Sequence, residues 1–207
     1  MNLSLSEKLT YSTIRIECFD VKGNMSTGTG YFFNFKVNKD TGEHIPTIIT
    51  NKHVIKNASW GKLIFCTSEN GEPYNNKHHT INITDFEKAW IHHNFTDVDL
   101  CVMPIAQLIE DTKAKNIELF YIALSIENLP TKEDLEDLTA LEELIMIGYP
   151  NGIWDSYNNK PIIRKGITAT HPSLDYNNRK EFVIDMACFP GSSGSPVFLL
   201  SEGVLYK

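Results

Sequence analysis

The chain is short of positive charge. Its 19 lysines and arginines are outnumbered by 26 aspartates and glutamates, a formal net charge of −7 over 207 residues. No stretch gathers the basic residues into a patch, so nucleic acid and anionic membrane are excluded as the expected main partners. Apolar runs long enough to cross a bilayer are also lacking. The first eight residues show no positive start followed by an apolar stretch, and the sequence therefore predicts neither secretory leader nor membrane span, and a cytoplasmic protein. Cysteine is scarce. Cys18, Cys66, Cys101 and Cys188 stand far apart, without the CxxC spacing of a zinc site. Each lies in an apolar, strand-like run, which predicts four reduced core thiols in place of a disulfide framework. There is no internal repeat and no low-complexity tract.

What is present is the composition of an ordinary globular protein, 42% hydrophobic and 22% charged. Its length suits one all-β unit or two halves sharing a cleft. From Tyr11 to Phe19 apolar Ile14, Ile16 and Cys18 alternate with Thr13, Arg15 and Glu17, the period of a half-buried strand. A second alternating run puts Tyr31, Phe33, Phe35 and Val37 on one predicted face. Further strands are predicted at Ile45–Thr50, Lys62–Thr67, Thr80–Thr84, Lys88–His92, Asp99–Ile105, Leu144–Gly148, Pro161–Thr170 and Glu181–Cys188. Between Ala106 and Glu143 the pattern changes. Thr131 with Asp134 forms a capping-box signature, and Leu135, Leu138, Leu141 and Leu144 keep a roughly helical spacing among acidic residues, which predicts a helical connector.

Several features point to nothing further. Gly28 and Gly30 are not followed by the Lys-Ser or Lys-Thr pair of a phosphate loop, so no nucleotide cofactor is expected. The doublets His78-His79 and His92-His93 place neighbours on opposite strand faces, and no carboxylate or thiol cluster completes a ligand set, so no metal is expected. The tract Trp154–Asn159 is either a surface loop or part of a cleft wall.

The stretch that organises the chain is Pro190-Gly191-Ser192-Ser193-Gly194-Ser195-Pro196, ahead of Val197–Leu200. A serine between glycines on a tight turn can expose one hydroxyl beside several backbone N–H groups, although Gly-Ser runs also make idle loops. Upstream, His53 closes an apolar strand, where a lone histidine is often only structural. Asp97 and Asp99 precede an apolar run, where an aspartate either marks a turn or is held in a dry site to orient an imidazole.

Taken in order, His53, Asp99 and Ser193 resemble the trypsin-like, chymotrypsin-fold serine proteases, and more closely their bacterial HtrA-type and glutamyl-endopeptidase-like branches. Thr27–Tyr31 is similar to that family's glycine-bearing early strand, Ile49–Ile55 to its His motif, Asp99–Val102 to its Asp motif, Ile147–Gly152 to the turn opening its second barrel, and Asp185–Pro196 to its nucleophile segment. The resemblance implies an all-β fold of two antiparallel β-barrels, with an N-terminal barrel over 1–105, an acidic helical connector over 106–143 and a C-terminal barrel over 144–207 that looks incomplete. It implies a serine endopeptidase acting on polypeptide through an acyl-enzyme without a cofactor. Ser193 would be the nucleophile, His53 the general base, Asp99 its partner with Asp97 the competitor, and the N–H groups of Gly191 and Ser193 the oxyanion hole. Ser192 replaces the acid that pairs with a freshly cut N-terminus in activatable relatives. Ala187 stands where the trypsin branch carries its acid, so a small or apolar residue is expected at that subsite. The alternatives are a catalytically silent protease-like binding or regulatory module, and an esterase using the same residues.

Overall fold

Ser4 opens α1 (Leu5–Thr10) with a reciprocal capping box to Glu7, and the chain turns directly into β1 (Thr13–Phe19). β2 (Met25–Phe35), β3 (Ile45–Thr50) and the single turn α2 (Lys52–Ile55) follow, then the long pair β4 (Trp60–Glu69) and β5 (Glu72–Thr84), and the short β6 (Ile91–His92) and β7 (Cys101–Pro104). α3 (Ala106–Lys113), β8 (Leu119–Phe120) and α4 (Lys132–Glu136) lead to β9 (Glu143–Gly148), β10 (Ile162–Thr168), β11 (Ile184–Asp185) and β12 (Val197–Phe198). This computed structural model describes residues 3–151 and 153–200.

The strands form two antiparallel sheets. One runs β5-β4-β1-β2-β3-β7-β6, with β8 added to β4, and the other runs β11-β10-β9-β12. The family resemblance implies two barrels; among the described residues no pairing joins the ends of either row. The main core lies within the first sheet, where Ile14, Ile16, Phe32, Ile48, Leu63, Phe65 and Met103 pack with Ile55 of α2.

On β2 the main core is met by the face opposite the one that holds Tyr31 and Phe35. Gly28, Gly30 and Phe32 turn towards it, while on the other face Thr29 and Phe33 are also buried, Tyr31 is half-buried and Phe35 is exposed. The cause is crowding. A Cβ on Gly30 would lie 2.7 Å from Ile48 Cγ2 and 3.0 Å from Ile16 Cδ1, so only glycine lets the strands approach so closely.

Four other expectations need correction. Lys88–His92 is not one strand: Phe86–Ala89 is a 3-10 turn, because Phe86 fills the space over Gly61, and only Ile91–His92 pairs. Glu181–Cys188 yields a two-residue strand, and Ala187 and Cys188 are exposed. All four cysteines are unpaired, yet only Cys18 and Cys101 are buried, with Cys66 half-buried. The capping box at Thr131 does open α4, but the helix ends at Glu136, and the leucine spacing beyond it continues into a loop in which Leu141 is exposed.

The tract Trp154–Asn159 seals the junction between the sheets. The Arg15 guanidinium lies 4.7 Å over the Trp154 ring, and buried Asn159 donates from Nδ2 to Ile64 O at 3.0 Å. Beside them the Lys160 Nζ sits over the Tyr11 ring, with no hydrogen-bond partner among the described residues. Burial lowers its ammonium from the usual 10.5 to about 8. The folded state therefore holds this proton less tightly than the unfolded one, a cost fully present below about 8 and relieved as pH rises towards 10.5. Lys160→Met is expected to stabilise the fold at pH 7 by on the order of 1 kcal/mol, allowing for the group's partial exposure. Urea unfolding should show the gain shrinking by about pH 10; a variant less stable than the parent at pH 7 contradicts this account.

Candidate active site

β3 carries the chain out of the core at Thr50, and α2 immediately turns it, placing His53 at the surface with its side chain 55% exposed. Asn51 stands at the cap position of α2 but makes no side-chain cap bond. Its amide is used elsewhere, donating from Nδ2 to Asp99 O at 2.7 Å, while Lys52 Nζ donates to Phe95 O at 2.9 Å. Both bonds tie the segment before β7 to the His53 turn.

Asp99 grips His53 at two points. The His53 ring donates from Nδ1 to Asp99 Oδ2 at 2.5 Å, and the His53 backbone N–H donates to Asp99 Oδ1 at 3.1 Å. Because a carboxylate only accepts, Nδ1 carries the proton, and in the neutral ring Nε2 is left as the acceptor. The site is wetter than the sequence suggests: Asp99 lies in the loop before β7, with its side chain 48% exposed. Asp97 is excluded as the partner. It sits on a turn and not on a strand, has no hydrogen bond to His53, and is held by its carbonyl, which accepts from Arg179 Nη2 at 3.2 Å. Beneath the loop the buried Cys101 donates from Sγ to Thr50 O at 3.6 Å. Burial first, and the Asp99 charge second, push this thiol up to about 12, so it remains a neutral structural group.

Ser193 lies on the turn between β11 and β12, half-buried, with its carbonyl accepting from Thr29 N at 2.9 Å. Gly191 and Gly194 take φ values of +91° and +83°, in the region that favours glycine. At Gly194 a Cβ would also press on the Thr29 carbonyl and the Thr50 hydroxyl. The Ser193 turn thus packs on the strand end that delivers His53. Among the described residues the N–H groups of Gly191 and Ser193 have no acceptor, and the Ser193 hydroxyl has no hydrogen bond to His53. Hydrogen bonds of this kind are often loose until substrate is bound. Ala187 is exposed on the extended segment before the turn.

A family model described as the trypsin-like peptidase domain matches residues 28–206, which spans every one of these positions. This chain belongs to the trypsin-like peptidase family. No curated protein sequence matches it. Among solved structures it is similar to the Rv3671c protease from M. tuberculosis in its active form, at 12% identity and a TM-score of 0.46, covering 91% of this chain and 65% of that one. It is also similar to the HtrA-type protease AlgW with tripeptide, at 15% identity and TM-score 0.49, covering 91% and 47%. A third is HL collagenase, at 15% identity and TM-score 0.48, covering 93% and 77%. The chain spans less than two thirds of the length of the first two.

In this trypsin-like peptidase the sequence reading missed the supports. Asn51, Thr29, Thr50 and Asn151 all bind the segments carrying His53, Asp99 or Ser193. A threonine between two strand glycines, and an asparagine just before the histidine turn, were the available signals.

Proposed function

We propose that this trypsin-like peptidase is a serine endopeptidase with His53, Asp99 and Ser193 as its catalytic residues. The observation that carries this reading is the two-point clasp of Asp99 on His53, which leaves Nε2 as the ring's acceptor. His53 Nε2 takes the Ser193 proton as Oγ attacks the peptide carbonyl. The N–H groups of Gly191 and Ser193 receive the resulting oxyanion. Its collapse breaks the C–N bond, His53 passes the proton to the leaving amine, and water repeats the sequence on the acyl-enzyme. The reaction consumes only water and peptide and calls for no cofactor. Ala187 would leave a subsite suited to small or apolar side chains. Incubation with an unfolded protein such as reduced casein, followed by mass analysis of the fragments, tests this. Fragments from the parent and none from Ser193→Ala are expected; equal cleavage by both overturns the reading.

The absent hydrogen bond between Ser193 and His53 favours one rival, a protease-like module that binds polypeptide without cutting it. That module would bind casein and leave it intact.

A further inference from the structure

The turn that carries Ser193 is pinned one peptide plane at a time. The Pro190 carbonyl accepts from Asn151 N at 2.6 Å, the Ser192 carbonyl from Ser195 N at 3.0 Å, and the Ser193 carbonyl from Thr29 N at 2.9 Å. The Gly191 carbonyl accepts from the Thr29 hydroxyl at 2.9 Å. In a trans peptide the carbonyl and the next N–H point in opposite directions, so holding a carbonyl also aims the N–H of its plane. Holding Pro190 aims the Gly191 N–H, and holding Ser192 aims the Ser193 N–H, the two donors left without acceptors among the described residues.

Of these four pins only one is made by a side chain. Thr29 is fully buried, at 0% exposure. Its hydroxyl joins three segments: it donates to Gly191 O and accepts from Tyr149 N at 2.8 Å, at the exit of β9. The Thr29 carbonyl accepts in turn from the buried Thr50 hydroxyl at 2.7 Å, at the end of the strand that delivers His53. Gly191, at φ +91°, is the residue most free to rotate if released.

We propose that the Thr29 hydroxyl is a positioning element for the Gly191–Ser192 plane, whose own N–H donates from Ser192 to Phe189 O at 2.9 Å and which links the two planes carrying the Gly191 and Ser193 N–H groups, keeping both aimed at the substrate oxyanion. The chemical half of this proposal rests on the serine-endopeptidase reading; the geometric half does not. Removing the hydroxyl leaves both Gly191 O and Tyr149 N without partners, and the plane is then held only by the Ser192 N–H bond to Phe189 O, so it can tilt towards a new partner.

Thr29→Val keeps the shape and deletes the hydroxyl, and Thr29→Ser restores it. Both are compared with the parent in the rate of phosphonylation by a fluorophosphonate, in which Ser193 Oγ displaces fluoride and the phosphoryl oxygen occupies the oxyanion position. Thr29→Ser is expected to react within about threefold of the parent, and folded Thr29→Val about a hundredfold more slowly, the loss typical of one missing donor. A folded Thr29→Val that reacts at the parent rate overturns the proposal. A second readout needs no activity: the 1H–15N resonance of Gly191 should move in Thr29→Val and not in Thr29→Ser, and an unmoved resonance overturns the proposal. If the parent itself does not react, the endopeptidase reading fails while the resonance still decides the role of Thr29. Should Thr29→Val not fold, hydrogen exchange in the parent decides. A protected Tyr149 amide and a slowly exchanging Thr29 hydroxyl proton are expected, and rapid exchange of both contradicts the pin.

Discussion

Replacing Ser193 by alanine is expected to lower kcat for peptide hydrolysis by on the order of a millionfold, because no other group can accept the acyl fragment. The loss should be nearly as large for His53→Ala, since a serine hydroxyl without a base is a poor nucleophile. The two changes should not add. Once Ser193 is gone, His53 has no proton to take, so the double variant should match either single one. Residual turnover would come from binding and from the Gly191 and Ser193 N–H groups, about 10³–10⁴ above the uncatalysed rate. The fold should hardly notice either change: Ser193 is only half-buried, its contact with Thr29 runs through the backbone, and His53 is more than half exposed. Initial rates on a cleaved peptide, with a thermal melt of each variant, measure both halves of this expectation. A Ser193→Ala protein that keeps a tenth of the activity would remove the nucleophile from the account.

Asp99→Asn is expected to cost about 10⁴ in kcat with little change in KM. The carboxylate accepts from the His53 ring at 2.5 Å and from the His53 backbone at 3.1 Å. An amide can keep one of these bonds but presents N–H donors where the second oxygen stood. If its NH₂ faces the ring, Nδ1 must become the acceptor and the proton moves to Nε2, the atom that has to receive the Ser193 proton. Asp97→Asn provides the contrast. Its side chain has no bond to His53 and its carbonyl, held by Arg179, is untouched by the change, so activity within about twofold of the parent is expected. Equal losses in the two variants would mean that the aspartates act through the net charge of the loop and not through the clasp.

The parts of the fold legible in the sequence were those where one local pattern decides the outcome. β3 ends at Thr50 because Asn51-Lys52-His53 cannot continue an apolar run, and the histidine emerges at that break. α4 starts where Thr131 and Asp134 cap each other. What could not be read was set by packing between distant segments. The face of β2 follows from Ile16 and Ile48 crowding Gly30, and the 3-10 turn at Phe86 follows from the hole above Gly61. Alternation within either segment carries no trace of those neighbours. The candidate site divides in the same way. His53, Asp99 and Ser193 were legible because their residue types and order are unusual, and the structure places Asp99 on His53 and sets the Ser193 turn on Thr29. The sequence favours Asp99 over Asp97 because Asp99 directly precedes the apolar run, as in the family the chain resembles; in the structure Asp99 bonds to His53, whereas Asp97 lies on a turn with its carbonyl held by Arg179. Thr29, Thr50 and Asn151 stayed hidden because a buried threonine in a strand or an asparagine in a turn is ordinary until its partner, more than a hundred residues away for Thr29 and Gly191, comes into view.

The most direct test of the central claim, an activated serine at position 193, is covalent labelling by a fluorophosphonate read by intact mass and peptide mapping. One adduct on the parent, located on Ser193 and missing from Ser193→Ala and His53→Ala, is the expected result. No adduct on the folded parent, or an adduct that persists when His53 is replaced, contradicts the claim and leaves the binding module as the better description.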